Sequence, residues 1–172
     1  MSFDTADLRQ MERDRTLRDV ITHEMGHVLG IGSVWTHKKL LKNAGTSNPT
    51  FAGKAAMREY RTLRGSGSAN QRVPVENTGG PGTADSHWRE TVFRNELMSG
   101  FISAAGNPLS RMTVGSLEDL GYAVDFNAAE DYALPDLMNL AIEGSLVSHV
   151  APINTGIMLP NVPLTLPEDS LQ

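Results

Sequence analysis

The feature that most constrains this chain is an apolar pattern of helical period around the segment HEMGH at 23–27. Apolar residues recur there every three or four positions and Gly30 follows, which is typical of an amphipathic helix that ends at a glycine. We therefore predict a helix over 16–29, with Thr16 and Asp19 as the capping pair at its start. The apolar side chains should be buried, and the two histidines should face the edge of a cleft. These apolar residues are Leu17, Val20, Ile21, Met25, Val28 and Leu29.

The residues His23, Glu24 and His27 match the pattern H-E-x-x-H. Residues four positions apart lie on one face of a helix, so the two imidazoles can bind a single Zn²⁺ ion. Glu24 can take a proton from a water molecule polarised by the ion and pass it to the leaving amine of a peptide bond. The chain has no cysteine, so any metal must be bound by His, Asp or Glu. The motif predicts hydrolytic zinc chemistry with Glu24 as the proton carrier.

The composition favours one folded globular domain and argues against several other classes of protein. The chain has 172 residues, of which 40% are hydrophobic and 20% charged, as in an ordinary folded domain. The net charge of -5 argues against nucleic-acid binding, which normally needs a basic face. No apolar run approaches the roughly 20 residues that span a bilayer. The first residues carry no signal peptide, since they lack a basic and then apolar stretch.

Beyond the motif, the pattern predicts a mainly α fold with an α+β remnant. Further helices are expected over 54–64, 112–120 and 136–143, and a short strand end around Phe3 to Leu8. Any small sheet should therefore lie at the N-terminus or in the C-terminal tail. The glycine-rich segment at 65–87 has no helical period, and a loop of that length usually carries function.

Two histidines do not complete a catalytic zinc site, which normally has three protein ligands and one open position. Metzincin peptidases extend the motif to H-E-x-x-H-x-x-G-x-x-H. Gly30 stands at the glycine of this pattern, but Ser33 occupies the position of the third histidine. The third ligand must therefore come from elsewhere. The candidates are His37, His87, His149 and several carboxylates.

With these motifs the chain resembles the leishmanolysin family of metzincin peptidases, and especially its bacterial relatives. In that family a long insertion separates the motif glycine from the third zinc histidine. HEMGHVLGIG at 23–32, followed by an insertion and by SHWRETVFRNELMSG at 86–100, is similar to that arrangement. The resemblance runs from about Phe3 to Val124 and includes SRMTVGSLEDLGYAV at 110–124. It implies a zinc metalloendopeptidase that acts on peptide or protein substrates and is secreted or extracytoplasmic.

Carried over position by position, the resemblance assigns roles to particular residues. Gly30 lets the chain turn sharply after the helix, and Met98 becomes the methionine of a Met-turn at 96–100 that packs beneath the imidazoles. His37 lies on a polar stretch and is the rival of His87 as third ligand, and His149 is expected to be structural. His87 is preferred on the resemblance. The implied set is therefore His23, His27 and His87 as metal ligands with Glu24 as the catalytic base.

Two features around His87 remain open from sequence. Zinc-bound histidines usually donate their second ring N–H to an acceptor, and Glu90, Glu96 and Asp85 are candidates for that role. The acidic, glycine-containing segment at 73–86 raises the option of a calcium site, although it lacks the ligand ladder of an EF-hand. A rigid loop that leads to His87 is the preferred interpretation of this segment.

The chain also departs from the family. Only 22 residues precede His23, where metzincins have an N-terminal sheet subdomain, so we expect that subdomain to be largely missing. We divide the chain into a catalytic domain at 1–134, with its zinc helix, third-ligand loop and Met-turn, and an extension at 135–172 that wraps around it. Without cysteines or an anchor signal, membrane attachment is not carried over. The alternatives are a zinc-binding fragment with little or no activity, and an interaction module with an incidental helix. The oligomeric state is left open.

Overall fold

The computed structural model describes residues 5–65, 70–102 and 104–142. These residues form a mainly helical fold with a small antiparallel sheet, as the sequence pattern predicts. The helices are α1 (Thr5–Arg13), α2 (Leu17–Val28), α3 (Lys54–Arg64), α4 (Glu90–Phe93), α5 (Arg111–Leu120), a 3-10 helix (Phe126–Ala128) and α6 (Leu137–Ile142). The strands are β1 (Leu41–Lys42), β2 (Thr50–Phe51) and β3 (Val73–Pro74).

The sheet lies in the middle of the chain, and the prediction of strands near the N-terminus was wrong. Its order is β1-β2-β3, with Phe51 opposite both Leu41 and Val73. The β3 segment continues into isolated bridges that pair Val75 with Trp88 and Trp88 with Ser99. Strands of two residues leave almost no alternating pattern in the sequence, so the pattern predicts a loop at these positions. The predicted tail strand lies outside the described residues.

The core is built from aromatic rings and from the contact between α3 and α5. Trp35, Phe51 and Trp88 are fully buried, with ring centroids 4.8–5.5 Å apart. Asp119, near the end of α5, accepts hydrogen bonds from the first backbone N–H groups of α3. It serves as the N-cap of α3, because Gly53 at the N-cap position has no side chain to do so. Trp88, which follows the predicted third ligand, is thus anchored in the centre of the domain.

Helix α2 begins and ends within one residue of its predicted bounds, and Thr16 occupies its N-cap position, but the predicted side-chain capping pair of Thr16 and Asp19 does not form. The chain passes from α1 into α2 through a tight turn, in which the Thr16 hydroxyl donates to the Met11 carbonyl at 3.4 Å. Asp19 turns away from the helix start. Its carboxylate accepts the backbone N–H groups of Gly106 and Asn107 at 2.9 and 3.1 Å.

The burial predicted for α2 was also wrong, because the apolar face is exposed and the histidine face is buried. Met25 is 54% exposed and Val28 72%, and Ile21 and Leu29 also lie open. The buried residues of the helix are His23, Gly26 and His27. The apolar pattern located the helix correctly but indicated the wrong side for the core.

The N-terminal segment forms helix α1 in place of the expected strand end. Its sequence TADLRQMER is rich in residues of high helix propensity, which outweigh the few apolar residues on which the strand prediction relied. The predicted helix over 54–64 coincides with α3, and those over 112–120 and 136–143 agree with α5 and α6 to within a residue at each end. Among the described residues, none of these helices has the length and apolar character needed to cross a membrane.

Candidate metal centre

Three histidines converge at the buried face of α2. His23 and His27 come from this helix, one turn apart, and His87 comes from the loop between β3 and α4. The three Nε2 atoms lie 2.9–3.1 Å from one another, and all three residues are buried. The structure therefore brings together the three residues that the sequence analysis named, although 60 residues separate His27 from His87.

Backbone carbonyls fix the tautomer of each imidazole. The Nδ1 atoms of His23, His27 and His87 lie 2.7, 2.9 and 3.0 Å from the carbonyl oxygens of Leu97, Ile31 and Thr83, respectively. A carbonyl oxygen can only accept, so each Nδ1 carries the proton and donates it. In a neutral imidazole, the Nε2 atom then holds a free lone pair. Three lone pairs therefore point at one another, an arrangement that a cation stabilises.

Burial keeps the three imidazoles in their neutral form. Desolvation lowers the pKa of His23 to about 4, with a smaller contribution from the neighbouring His27. The same cause lowers the pKa of His27 and holds that of His87 well below its usual value. Neutral imidazole is the form that binds a metal, so protons are weak competitors for this cluster near neutral pH.

The spacing of the cluster fits one ion of the size of Zn²⁺. Three nitrogens 2.9–3.1 Å apart can all lie at the usual zinc–nitrogen distance of about 2.0–2.1 Å from one ion. His23, His27 and His87 would therefore hold the ion, and three protein ligands are the number that catalytic zinc sites normally have. Nitrogen ligands alone, without thiolates, are also compatible with zinc.

Two glycines allow the polypeptide to approach closely around the cluster. A Cβ at Gly26 would lie 2.7 Å from the sulfur of Met98, so the Met98 thioether packs directly against α2 between the two histidines. Gly32 has a φ of 73°, and a Cβ there would overlap the carbonyl oxygen of Ser86. The end of α2 is thus pressed against the segment that carries His87.

The remaining predicted site residues lie as follows. Glu24 follows His23 on α2 and is half-buried, and its charge raises the pKa of His27 against the effect of burial. Gly30 has a φ of 107°, a conformation that favours glycine, where the chain leaves the helix. His37 is exposed and lies outside the cluster. His149 lies outside the described residues.

None of the three carboxylates expected to orient the ligands accepts a ligand N–H directly. Asp85 accepts the N–H of Gly45 at 2.8 Å. Burial raises the pKa of Glu90 to about 7, with Ser99 as its hydrogen-bond partner. Glu96 is fully buried at the turn that contains Met98. Each ligand has a main-chain carbonyl as its acceptor, and the Ser86 hydroxyl also lies 3.0 Å from Nδ1 of His87. Because every residue possesses a carbonyl, no sequence signal could have identified these three acceptors.

The acidic segment at 73–86 shows no arrangement that supports calcium binding. Glu76, its most buried carboxylate, accepts the backbone N–H groups of Asn77, Thr78 and Glu90 at 2.7–2.9 Å. Within the part of the chain that the structure describes, the histidine cluster is the one group of three or more His, Asp or Glu residues placed to hold a metal. The Glu76 carboxylate thus ties this segment to the backbone around it, and the segment leads directly to His87.

Comparison with known proteins identifies the family to which this arrangement belongs. The sequence model of the leishmanolysin family matches residues 1–136, which is most of the chain. The chain belongs to the leishmanolysin family. Leishmanolysins are a family of zinc metallopeptidases, and the three convergent histidines are a group that could hold a metal ion.

Individual leishmanolysins show how far the similarity extends. The leishmanolysin of Leishmania tropica is 30% identical over 125 residues, which cover 68% of this chain and 19% of that protein. That of Leishmania donovani is 31% identical over 126 residues, covering 69% and 21%. A leishmanolysin-like peptidase of Caenorhabditis briggsae is 42% identical over 59 residues, covering 33% and 9%. The chain thus spans about a fifth of the length of the leishmanolysins it matches. No solved structure matches it significantly.

Proposed function

We propose that this chain carries the catalytic centre of a zinc metalloendopeptidase of the leishmanolysin family. The observation that carries the proposal is the convergence of three neutral Nε2 lone pairs, with a glutamate beside one of them on the same helix. His23, His27 and His87 are the proposed zinc ligands. Glu24 is the proposed general base, and Met98 the proposed Met-turn residue.

When bound, Zn²⁺ supplies Lewis-acid polarisation of a water molecule and of the scissile carbonyl. The histidines hold the ion through Nε2, because their Nδ1 protons are already committed to Leu97, Ile31 and Thr83. The Glu24 carboxylate takes the proton of the attacking water. It then passes that proton to the amine of the broken peptide bond.

Peptide or protein substrates follow from the peptidase family, and an extracytoplasmic location is proposed on the same ground. The net charge of -5 gives no support to nucleic acid as a partner. The division into a catalytic domain at 1–134 and a wrapping extension at 135–172 also remains a proposal.

The proposed function can be tested by zinc content together with peptide cleavage. We expect one zinc per chain by elemental analysis and chelator-sensitive cleavage of a fluorogenic peptide library. Glu24→Gln should retain zinc and lower the cleavage rate by about 10²–10⁴-fold, the range for a lost general base. His37→Gln is the matched control and should leave both zinc and cleavage unchanged. Absence of zinc from the wild-type chain would refute the proposal.

A second candidate is a zinc-binding unit with little activity of its own. It is favoured by the exposed apolar face of α2. This candidate predicts one zinc per chain and no cleavage in the wild type. The same pair of measurements separates it from the leading proposal.

A further inference from the structure

The fully buried Glu96 accepts four hydrogen bonds at the turn beneath the histidine cluster. Its Oε2 accepts the backbone N–H of Met98 at 2.7 Å. Its Oε1 accepts three hydrogen bonds: from the backbone N–H of Ser110 at 3.1 Å, from the Ser110 hydroxyl at 2.6 Å, and from the Thr113 hydroxyl. Both Glu96 oxygens are therefore held by groups on two separate elements, the turn and the start of α5.

Burial raises the pKa of Glu96, and the hydrogen-bond donors around it act against that effect by favouring the carboxylate anion. The Ser110 hydroxyl already accepts the N–H of Thr113 at 3.2 Å, and the Thr113 hydroxyl already accepts the indole N–H of Trp88 at 2.8 Å. Each hydroxyl proton is then free to point at Oε1, and the two backbone groups can only donate. Four donors around two oxygens are the surroundings that an ionised carboxylate requires when it is buried.

One peptide group connects this anion to a histidine of the cluster. The N–H of Met98, which donates to Glu96, and the carbonyl of Leu97 belong to the same planar amide. That carbonyl accepts the Nδ1 proton of His23 at 2.7 Å. An anion at the N–H end of an amide polarises its carbonyl, so the hydrogen bond at the other end strengthens. The imidazole then becomes a better electron donor at Nε2.

We propose that Glu96 is a positioning residue for the metal, acting on His23 through the Leu97–Met98 peptide group. Carboxylates that bind a ligand histidine directly fix its orientation and raise its basicity. Here a single amide stands between the carboxylate and the imidazole and transmits both effects. The inference rests on the proposed function, since it assumes that the cluster binds a cation.

A second contact ties the same turn to the third histidine. The carbonyl of Met98 accepts the backbone N–H of Trp88, the residue after His87, at 2.9 Å. Trp88 also donates its indole N–H to Thr113, which is bonded to Glu96. The turn therefore sets the position of His23 through Leu97 and restrains the chain at His87 through Trp88. Loss of the carboxylate should disturb the cluster from both sides.

The proposal can be tested by the zinc dissociation constant, measured by competition with a chromophoric chelator on the folded full chain. Glu96→Gln keeps the shape of the side chain and removes the anion. A glutamine side chain has one oxygen that accepts and one NH₂ group that donates. Either the N–H of Met98 or the N–H of Ser110 would then face this NH₂ group and lose its acceptor. We expect zinc to bind about 10–100-fold more weakly, the range for loss of an outer partner of a ligand.

Glu59→Gln is the matched control. Glu59 is also buried and loses the same charge, but its partners are Arg58 and Arg111 at 2.9 and 3.0 Å rather than the turn. This variant should bind zinc as the wild type does. Ser110→Ala removes the N-cap of α5 and leaves the contact between Glu96 and Met98 in place. It should lower the free energy of unfolding, and because it removes one of the four donors to Glu96, it should weaken zinc binding less than Glu96→Gln does.

The outcomes separate this inference from the proposed function. If the wild type binds no zinc, both fail. Two results would contradict the action of Glu96 on His23 through the Leu97–Met98 peptide group, which we call the relay, and would leave the peptidase proposal standing. In the first, the wild type binds zinc and Glu96→Gln binds it as tightly. In the second, Glu59→Gln loses as much zinc affinity as Glu96→Gln does. If Glu96→Gln does not fold with zinc, the wild-type NMR spectrum decides. Scalar couplings across both hydrogen bonds, from Met98 to Glu96 and from His23 to Leu97, should be present, and their absence overturns the relay.

Discussion

Gly26 shows how a single missing side chain shapes the histidine cluster. It lies between His23 and His27 on α2, and the Met98 thioether occupies the space beside it. Met98 is itself almost fully buried, so it has little room to move away. The two histidines can therefore stand over the turn only because nothing projects from the helix between them.

We expect Gly26→Ala to destabilise the zinc-free protein. Alanine gains about 1 kcal/mol over glycine in a helix interior, whereas overpacking a filled core costs about 1–3 kcal/mol. The net effect should be a loss of about 1 kcal/mol in urea unfolding. In a Met98→Ala background the added methyl group has room, so the same substitution should become stabilising. A loss of equal size in both backgrounds would mean that Met98 is not the obstacle.

At the scale of elements, the close approach of the α2 end to the His87 loop builds the cluster. Gly32 lies against the Ser86 carbonyl, and His87 follows directly on the other chain segment. Helix α2 contributes two ligands by its own periodicity, but the third is placed by contacts with other segments, of which this is one. The geometry of the metal centre is therefore set where two elements meet, and not within either of them.

Gly32→Ala should displace the His87 loop and weaken zinc binding. The added Cβ meets backbone, which cannot rotate away, and the φ of 73° is already unfavourable for alanine. Gly45 is a matched control, because it has a φ of 71° and open space around it. Gly45→Ala should cost about 1 kcal/mol of conformational strain and leave zinc affinity intact. Equal effects of the two variants on zinc affinity would exclude a role for the Gly32 contact.

At the scale of the whole molecule, the cluster joins segments that are distant in sequence. The metal would link α2 to the loop at 65–87, which carries His87. Because folding and metal binding are coupled in such sites, removal of the metal should loosen the loop before the rest. We expect limited proteolysis of the zinc-loaded protein to cut within 65–87 more slowly than after chelation. Cleavage in α3, measured in parallel, should change less, and equal cutting of the loop in both states would contradict the linkage.

The buried histidines should also make the zinc-free protein sensitive to acid. The pKa of His23 is about 4 in the folded protein and near its ordinary value of 6.5 when unfolded. The unfolded state therefore binds more protons as the pH falls from 6.5 to 4, and stability decreases over this window. His23→Gln removes this penalty. As the pH falls from 6.5 to 4, the free energy of unfolding of His23→Gln should therefore rise relative to that of the wild type, by up to roughly 3 kcal/mol.

The comparison with a single variant is needed because another buried group acts in the opposite direction. The pKa of Glu90 is raised to about 7 by burial, so its contribution to stability is present at low pH and is lost as the pH rises through 7. The difference between wild type and His23→Gln cancels this contribution. A flat difference between the wild type and His23→Gln would show that His23 is not desolvated.

Sequence reasoning succeeded where the signal is local and failed where it depends on neighbours. The bounds of α2, α3 and α5 follow from periodicity and from the glycines after them, which act within a few residues. The buried side of α2 could not be predicted, because it depends on which other segments pack against the helix, and the sequence of the helix does not specify them. His87 was named through family resemblance, since its distance from His27 along the chain carries no spacing rule. The carbonyls that hold the imidazoles leave no trace in residue types.

The unequal separation of the three histidines has a kinetic consequence. His23 and His27 are neighbours as soon as α2 forms. These two ligands alone should bind a cation weakly and exchange it rapidly. His87 joins them only when its loop has docked at Gly32, and the affinity for the cation should then increase. Ion release should follow the reverse path, with its speed limited by undocking of the loop. Undocking would break the bond between the metal and His87, so a slow off-rate would report on a movement of the polypeptide coupled to the loss of that ligand.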